Sequence, residues 1–150
     1  GHGGMAGGQA IDLASVGLQL SEDQLRQMHR LKTGALLLCS VQMGVACVPD
    51  VAEGVRMALT RFGEALGLAF QVVDDVLDVT ADSATLGKTA GKDVAADKPT
   101  YVALMGLEPA KAYADALAAQ AMQALADTGL PEARLAALRA LTAMVVERNN

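Results

Sequence analysis

The sequence has no tryptophan, and aromatic residues make up only 3% of it. So few aromatics in a chain that is 52% hydrophobic argue against a β-sandwich core. The abundant Ala, Leu, Val and Met favour helices packed on helices. Basic residues are also few, 12 against 17 acids, giving a net charge of -5. That balance argues against a nucleic-acid binder, which normally shows a basic patch. There are two cysteines, Cys39 and Cys47, without metal-ligand or redox spacing. They are expected to be reduced core residues of a cytoplasmic protein. No secretory signal is expected, and no unbroken apolar run in these residues is long enough to span a bilayer.

What is present is helical periodicity. A short helix is expected from Met5 to about Gly17. A long one follows "LSEDQ", where Ser21 and Gln24 have capping-box spacing and Glu22 and Asp23 suit a helix N-terminus. Leu25, Met28, Leu31 and Ala35 form its apolar stripe. Pro49 ends that run, and Asp50 is expected to cap the next helix, which continues to about Val79. Two amphipathic helices close the chain, about Glu108 to Asp127 and Pro131 to Arg148. Between them and the long helix lies "TADSATLGKTAGKDVAADKPT", polar and without a period. Loops of this length inside a domain are usually functional or disordered.

The stretch "FQVVDDVLDVTAD" places three acids in an apolar helix. Asp74 and Asp78 lie one turn apart on one face, Asp75 lies to one side, and Gln71 is one turn before Asp74. Carboxylates clustered in apolar surroundings repel one another unless a cation or a base offsets them. With no His or Cys in the cluster, the donor set suits a hard ion, Mg²⁺ or Mn²⁺. Mg²⁺ usually shares its coordination with a phosphate, and Lys88, Lys92 and Lys98 follow close behind. The alternative is a solvated acidic edge, or acids paired with basic side chains of another helix.

The segments "GGQAIDL", "HRLKTGALL", "LGLAFQVVDDVLDVTADSATLGKTAGKD" and "DKPTYVALMGL" occur in that order. Together they closely resemble the C-terminal half of bacterial farnesyl diphosphate synthases, trans-prenyltransferases of the polyprenyl synthetase family. The resemblance implies an all-α bundle around a central cavity, with two aspartate-rich motifs facing each other across its mouth. Asp74, Asp75 and Asp78 match the second motif and are the implied metal residues. The first is expected N-terminal to residue 1. Residues 1–150 then form the C-terminal portion of one domain, and this portion alone is expected to be inactive.

The implied reaction joins isopentenyl diphosphate to an allylic diphosphate, dimethylallyl or geranyl, with Mg²⁺ assisting departure of diphosphate. Lys32 matches a lysine that grips the allylic diphosphate. Thr33 and Gln71 match residues whose oxygens face the allylic cation. Lys88 and Lys98 match further diphosphate lysines, and Phe70 is implied at the isopentenyl pocket. Gln9 and Asp12 match the "GGQ..D" element on the metal side. Lys92 and His29 have no implied part in the chemistry, and His29 reads as structural or surface. Farnesyl diphosphate is the implied product and a homodimer the implied assembly. The alternatives are a geranylgeranyl diphosphate synthase, a non-catalytic subunit of the same fold, a terpene cyclase, and a metal-binding structural module.

Overall fold

The computed structural model describes residues 1–80 and 98–147, and among these every regular element is helical. The helices are α1 (Met5–Ala14), α2 (Glu22–His29), α3 (Ala35–Ala46), α4 (Glu53–Thr80), α5 (Tyr101–Met105), α6 (Leu107–Ala126) and α7 (Glu132–Glu147). A π-helical turn, Arg30–Gly34, joins α2 to α3.

The central element is α4. Ala58, Phe62, Leu66, Ala69, Val73 and Val76 are spaced by three or four residues, so all fall on one buried face. Opposite lies α6, which buries Ala110, Ala114, Leu117, Ala121 and Ala124 at the same spacing. Alanines let the two axes approach closely over their shared length. Removing each large apolar side chain of this core from water contributes about 1.5–3 kcal/mol.

The other side of α4 receives α3 and the π turn. Here glycine is a steric requirement. A Cβ on Gly67 would lie 2.9 Å from the Cα of Gly34, and one on Gly8 of α1 would lie 2.2 Å from the backbone nitrogen of Lys32. The π turn is therefore clamped between α1 and α4 by backbone contact. Gly8→Ala in the full-length protein is expected to cost about 1–3 kcal/mol through overpacking. Gly44 of α3 has open space where a Cβ would go. Gly44→Ala should stabilise by about 0.5–1 kcal/mol, because alanine is the better helix former. Thermal unfolding of the two variants checks both signs.

Several expectations need correction. The run from Ser21 to Ala46 is not one regular α-helix, because the π turn interrupts it. Its start does carry the capping box. Gln24 N–H donates to Ser21 Oγ at 3.3 Å, and Ser21 N–H donates to Gln24 Oε1 at 2.9 Å. Asp50 does not cap α4, which begins three residues later. It occupies a left-handed turn at φ 56°, a conformation that Asp tolerates better than most residues. Cys39 and Cys47 are exposed free thiols rather than core residues. The apolar segment around them does not bury all its faces against the described residues.

Candidate functional site

The π turn carries Lys32 and Thr33, both half-buried. Such turns occur frequently at functional sites, because the extra residue rotates the side chains that follow. Lys32 Nζ donates to Asp12 Oδ2 at 2.7 Å. The Asp12 carboxylate is nearly fully buried, whereas 27% of the Lys32 side chain remains accessible. The ammonium is thus held by one buried acid yet still reaches solvent. Gln9, on the same helix as Asp12, is half-buried. The "GGQ..D" and "KTGAL" segments are therefore brought together by the Gly8 contact and this ion pair.

The three acids of α4 divide into two environments. Asp74 is exposed and Asp78 half-buried, one turn apart. Asp75 points inward. It is buried, accepts the Tyr101 N–H at 2.8 Å, and lies 4.0 Å from His29 Nε2. His29 Nδ1 lies 2.9 Å from the Gln71 side-chain amide, and both residues are buried. The Tyr101 ring stacks on the imidazole with centroids 5.7 Å apart. Burial pushes the Tyr101 hydroxyl well above the usual phenol range, so it stays protonated.

Among the described residues no three His, Cys, Asp or Glu side chains gather closely enough to hold a metal by themselves. Asp74 and Asp78 alone offer an all-oxygen edge, a donor set that fits a hard cation completing its shell with water or phosphate. Phe70 is half-buried beside this edge. Lys98 is half-buried and lines a cavity of about 330 Å³ with Leu25 and Thr100. Lys88 and Lys92, and most of the polar stretch, lie outside the described residues.

A larger cavity of about 760 Å³ lies between α2, the π turn, α3, α4 and α6, lined by Leu31, Leu38, Ala65, Leu68 and Leu117 with Arg26 and Arg30. None of the described residues among those expected at the site lines it. His29, read from sequence as structural or surface, is buried beside Gln71, Asp75 and the Tyr101 ring.

A model of the family described as polyprenyl synthetase matches residues 2–141. The chain is 49% identical over 136 residues to a Sinorhizobium fredii protein named "Probable farnesyl diphosphate synthase", covering 89% of this chain and 41% of the relative. It is 42% identical over 149 residues to the farnesyl diphosphate synthase of Escherichia coli, covering 99% of this chain and 50% of that protein. The fold matches a Helicobacter pylori geranyltransferase solved with magnesium and isoprenyl diphosphate, with a TM-score of 0.69 and 35% identity. That match covers 97% of this chain and 44% of the other. The chain thus spans half or less of the length of these relatives.

Proposed function

The chain belongs to the polyprenyl synthetase family, and from that premise we propose that the full-length protein is a trans-prenyltransferase joining isopentenyl diphosphate to an allylic diphosphate. The observation that carries the reading is the pairing of Lys32 of the π turn with buried Asp12 of α1, on a fold whose α4 presents Asp74 and Asp78 to one edge. The product proposed is farnesyl diphosphate. Two of the relatives bear that name, at the identities given above.

Asp74 and Asp78 are the proposed ligands of Mg²⁺, with Mn²⁺ as a substitute. Asp75 completes the motif in sequence, but its carboxylate faces His29 and the Tyr101 N–H. Its proposed part is to anchor the metal-bearing turn. Bound Mg²⁺ would neutralise charge on the departing diphosphate. Lys32 would hold the same diphosphate through its ammonium, and Asp12, its hydrogen-bond acceptor, would keep that ammonium aimed. Lys88 and Lys98 would add positive charge to the leaving group. Thr33 and Gln71 would turn oxygens towards the allylic cation, and Phe70 would shield the isopentenyl side from water. The protein is proposed to act as a cytoplasmic homodimer. Among the described residues no helix is long and apolar enough to cross a membrane.

The test is prenyl transfer by full-length protein supplied with geranyl and isopentenyl diphosphates and Mg²⁺. Farnesyl diphosphate is the expected product, and the 150-residue chain alone should give none. Lys32→Met should raise the KM for geranyl diphosphate by about 10-fold or more, the weight of one charge-assisted contact. An unchanged KM would remove Lys32 from the diphosphate site.

A further inference from the structure

The cavity of about 760 Å³ is an elongated groove over α4, walled by α6 on one side and by α2, the π turn and α3 on the other. Its floor and walls are apolar, with Leu31, Leu38, Ala65, Leu68 and Leu117 all buried or half-buried. Along α6 its lining runs from Tyr113 to Asp127 at the helix end, about 21 Å at 1.5 Å per residue. Contacts fix the two ends. Arg26 Nη2 donates to the Tyr113 hydroxyl at 2.9 Å at one end, and Arg61 Nη2 donates to Asp127 Oδ2 at 3.0 Å at the other. The volume lies within the range of small-molecule sites, about 300–1,000 Å³.

Charge is divided unevenly between these ends. The Arg30 N–H donates to the Arg26 carbonyl, so the two arginines lie one helical turn apart on one face. Both line the groove and both are exposed, so both stand at its opening. Glu22 pairs with Arg26 at 2.7 Å, whereas among the described residues no acid pairs with Arg30. Like charges at this spacing repel, and one oxyanion held between the two guanidinium forks would offset that repulsion. The acids that line the groove, Glu64 and Asp127, lie towards the other end. There Asp127 already accepts from Arg61 and, at 2.8 Å, from the Gln123 side-chain amide. One end thus favours an anion, and the floor between the ends is apolar.

We propose that this groove binds a single-chain fatty carboxylate, its head held by Arg30 and Arg26 and its chain laid along α6 over Ala65 and Leu68. The head is assigned as a carboxylate because one guanidinium, that of Arg30, lacks an acid, and a carboxylate brings one negative charge in a shape that an arginine fork matches. The chain is assigned as single because the groove is long and its floor carries small and aliphatic side chains. Its burial removes apolar surface from water, which drives binding, while the arginines set its direction. The proposal stands on the groove and does not need the prenyl-transfer reading. Leu31 and Gly34 flank Lys32 and Thr33 in the π turn, so a bound molecule would rest against the turn that carries both.

Methyl NMR on the full-length protein, titrated with laurate below its micelle concentration, tests it. The methyl signals of Leu31, Leu38, Leu68 and Leu117, assigned by conservative substitution, should shift together and saturate. Dodecylamine, the same chain with a cationic head, should bind at least about 10-fold more weakly. Arg30→Gln, an exposed change that leaves the apolar walls intact, should raise the laurate Kd by about 10-fold, the weight of one charge-assisted contact. Ala65→Phe, which fills the floor, should abolish the shifts at Leu68 and Leu117. Its thermal midpoint reports whether the fold is kept, and Arg30→Gln decides the matter if it is not. Absence of saturable shifts with laurate would overturn the proposal. So would equal binding of laurate and dodecylamine, an unchanged Kd in Arg30→Gln, or undiminished shifts in a folded Ala65→Phe. Farnesyl phosphate displacing laurate from the Leu68 and Leu117 methyls at lower concentration than a fatty carboxylate needs would overturn the carboxylate head in favour of a phosphate.

Discussion

Asp74→Ala in the full-length protein is expected to lower turnover by on the order of 10²–10³-fold while leaving the thermal midpoint of the metal-free protein nearly unchanged. The carboxylate is exposed, and it has a like charge one turn away at Asp78. Its removal deletes no core contact and relieves some repulsion, so the stability change should stay within about 0.5 kcal/mol. Its proposed task is ligation of a hard cation shared with diphosphate, and that loss falls on the charge developing as the leaving group departs. The variant should therefore need more Mg²⁺ and should show less thermal stabilisation by Mg²⁺ plus a diphosphate analogue. Rates across a Mg²⁺ titration, with unfolding curves in parallel, make the comparison. Wild-type turnover in Asp74→Ala would leave the acids as a solvated edge.

Much of this architecture is written in local spacing. The face Ala58, Phe62, Leu66, Ala69, Val73 and Val76 follows the 3.6-residue period, and the Ser21–Gln24 box marks a helix start with side-chain chemistry. The π turn is not legible in this way, since one extra residue per turn leaves the apolar composition of "HRLKTGALL" unchanged. What imposes it is tertiary, the approach of Gly8 and Gly67 to its backbone. The short helix Tyr101–Met105 was hidden for a related reason. It is too brief to show a period and is bounded by the Thr100 side-chain cap and by Gly106 at φ 90°.

The site shows the same division. Asp74 and Asp78 could be placed on one edge from their spacing, because both belong to one helix. Lys32 and Asp12 were each legible only as matches to a family pattern, and their 2.7 Å contact joins residues 20 positions apart. His29 read as structural or surface because polarity and sequence neighbours gave it no partner. Gln71, 42 residues away, and Tyr101 supply its surroundings. Cys39 and Cys47 failed in the opposite sense, since an apolar neighbourhood in sequence does not guarantee burial in space.

The adjacent acid should respond differently. Asp75→Ala is expected to cost about 2–3 kcal/mol of stability, the range for a buried hydrogen bond to a charged acceptor whose donor is then left unpaired. That donor is the Tyr101 N–H, in the first turn of α5, where no intrahelical carbonyl can replace the lost oxygen. His29 would lose the carboxylate facing its Nε2 as well. The thermal midpoint should fall by several degrees, and amide exchange at Tyr101 should accelerate more than exchange along α6. Asp75→Asn keeps an oxygen that can accept the Tyr101 N–H, so it should recover part of the stability. Turnover in both variants should fall less than in Asp74→Ala once the folded fraction is taken into account. The decisive comparison sets each variant's midpoint against its rate. A thermally silent Asp75→Ala with turnover as low as that of Asp74→Ala would place Asp75 among the metal ligands and refute its assignment as the anchor of α4 to α5.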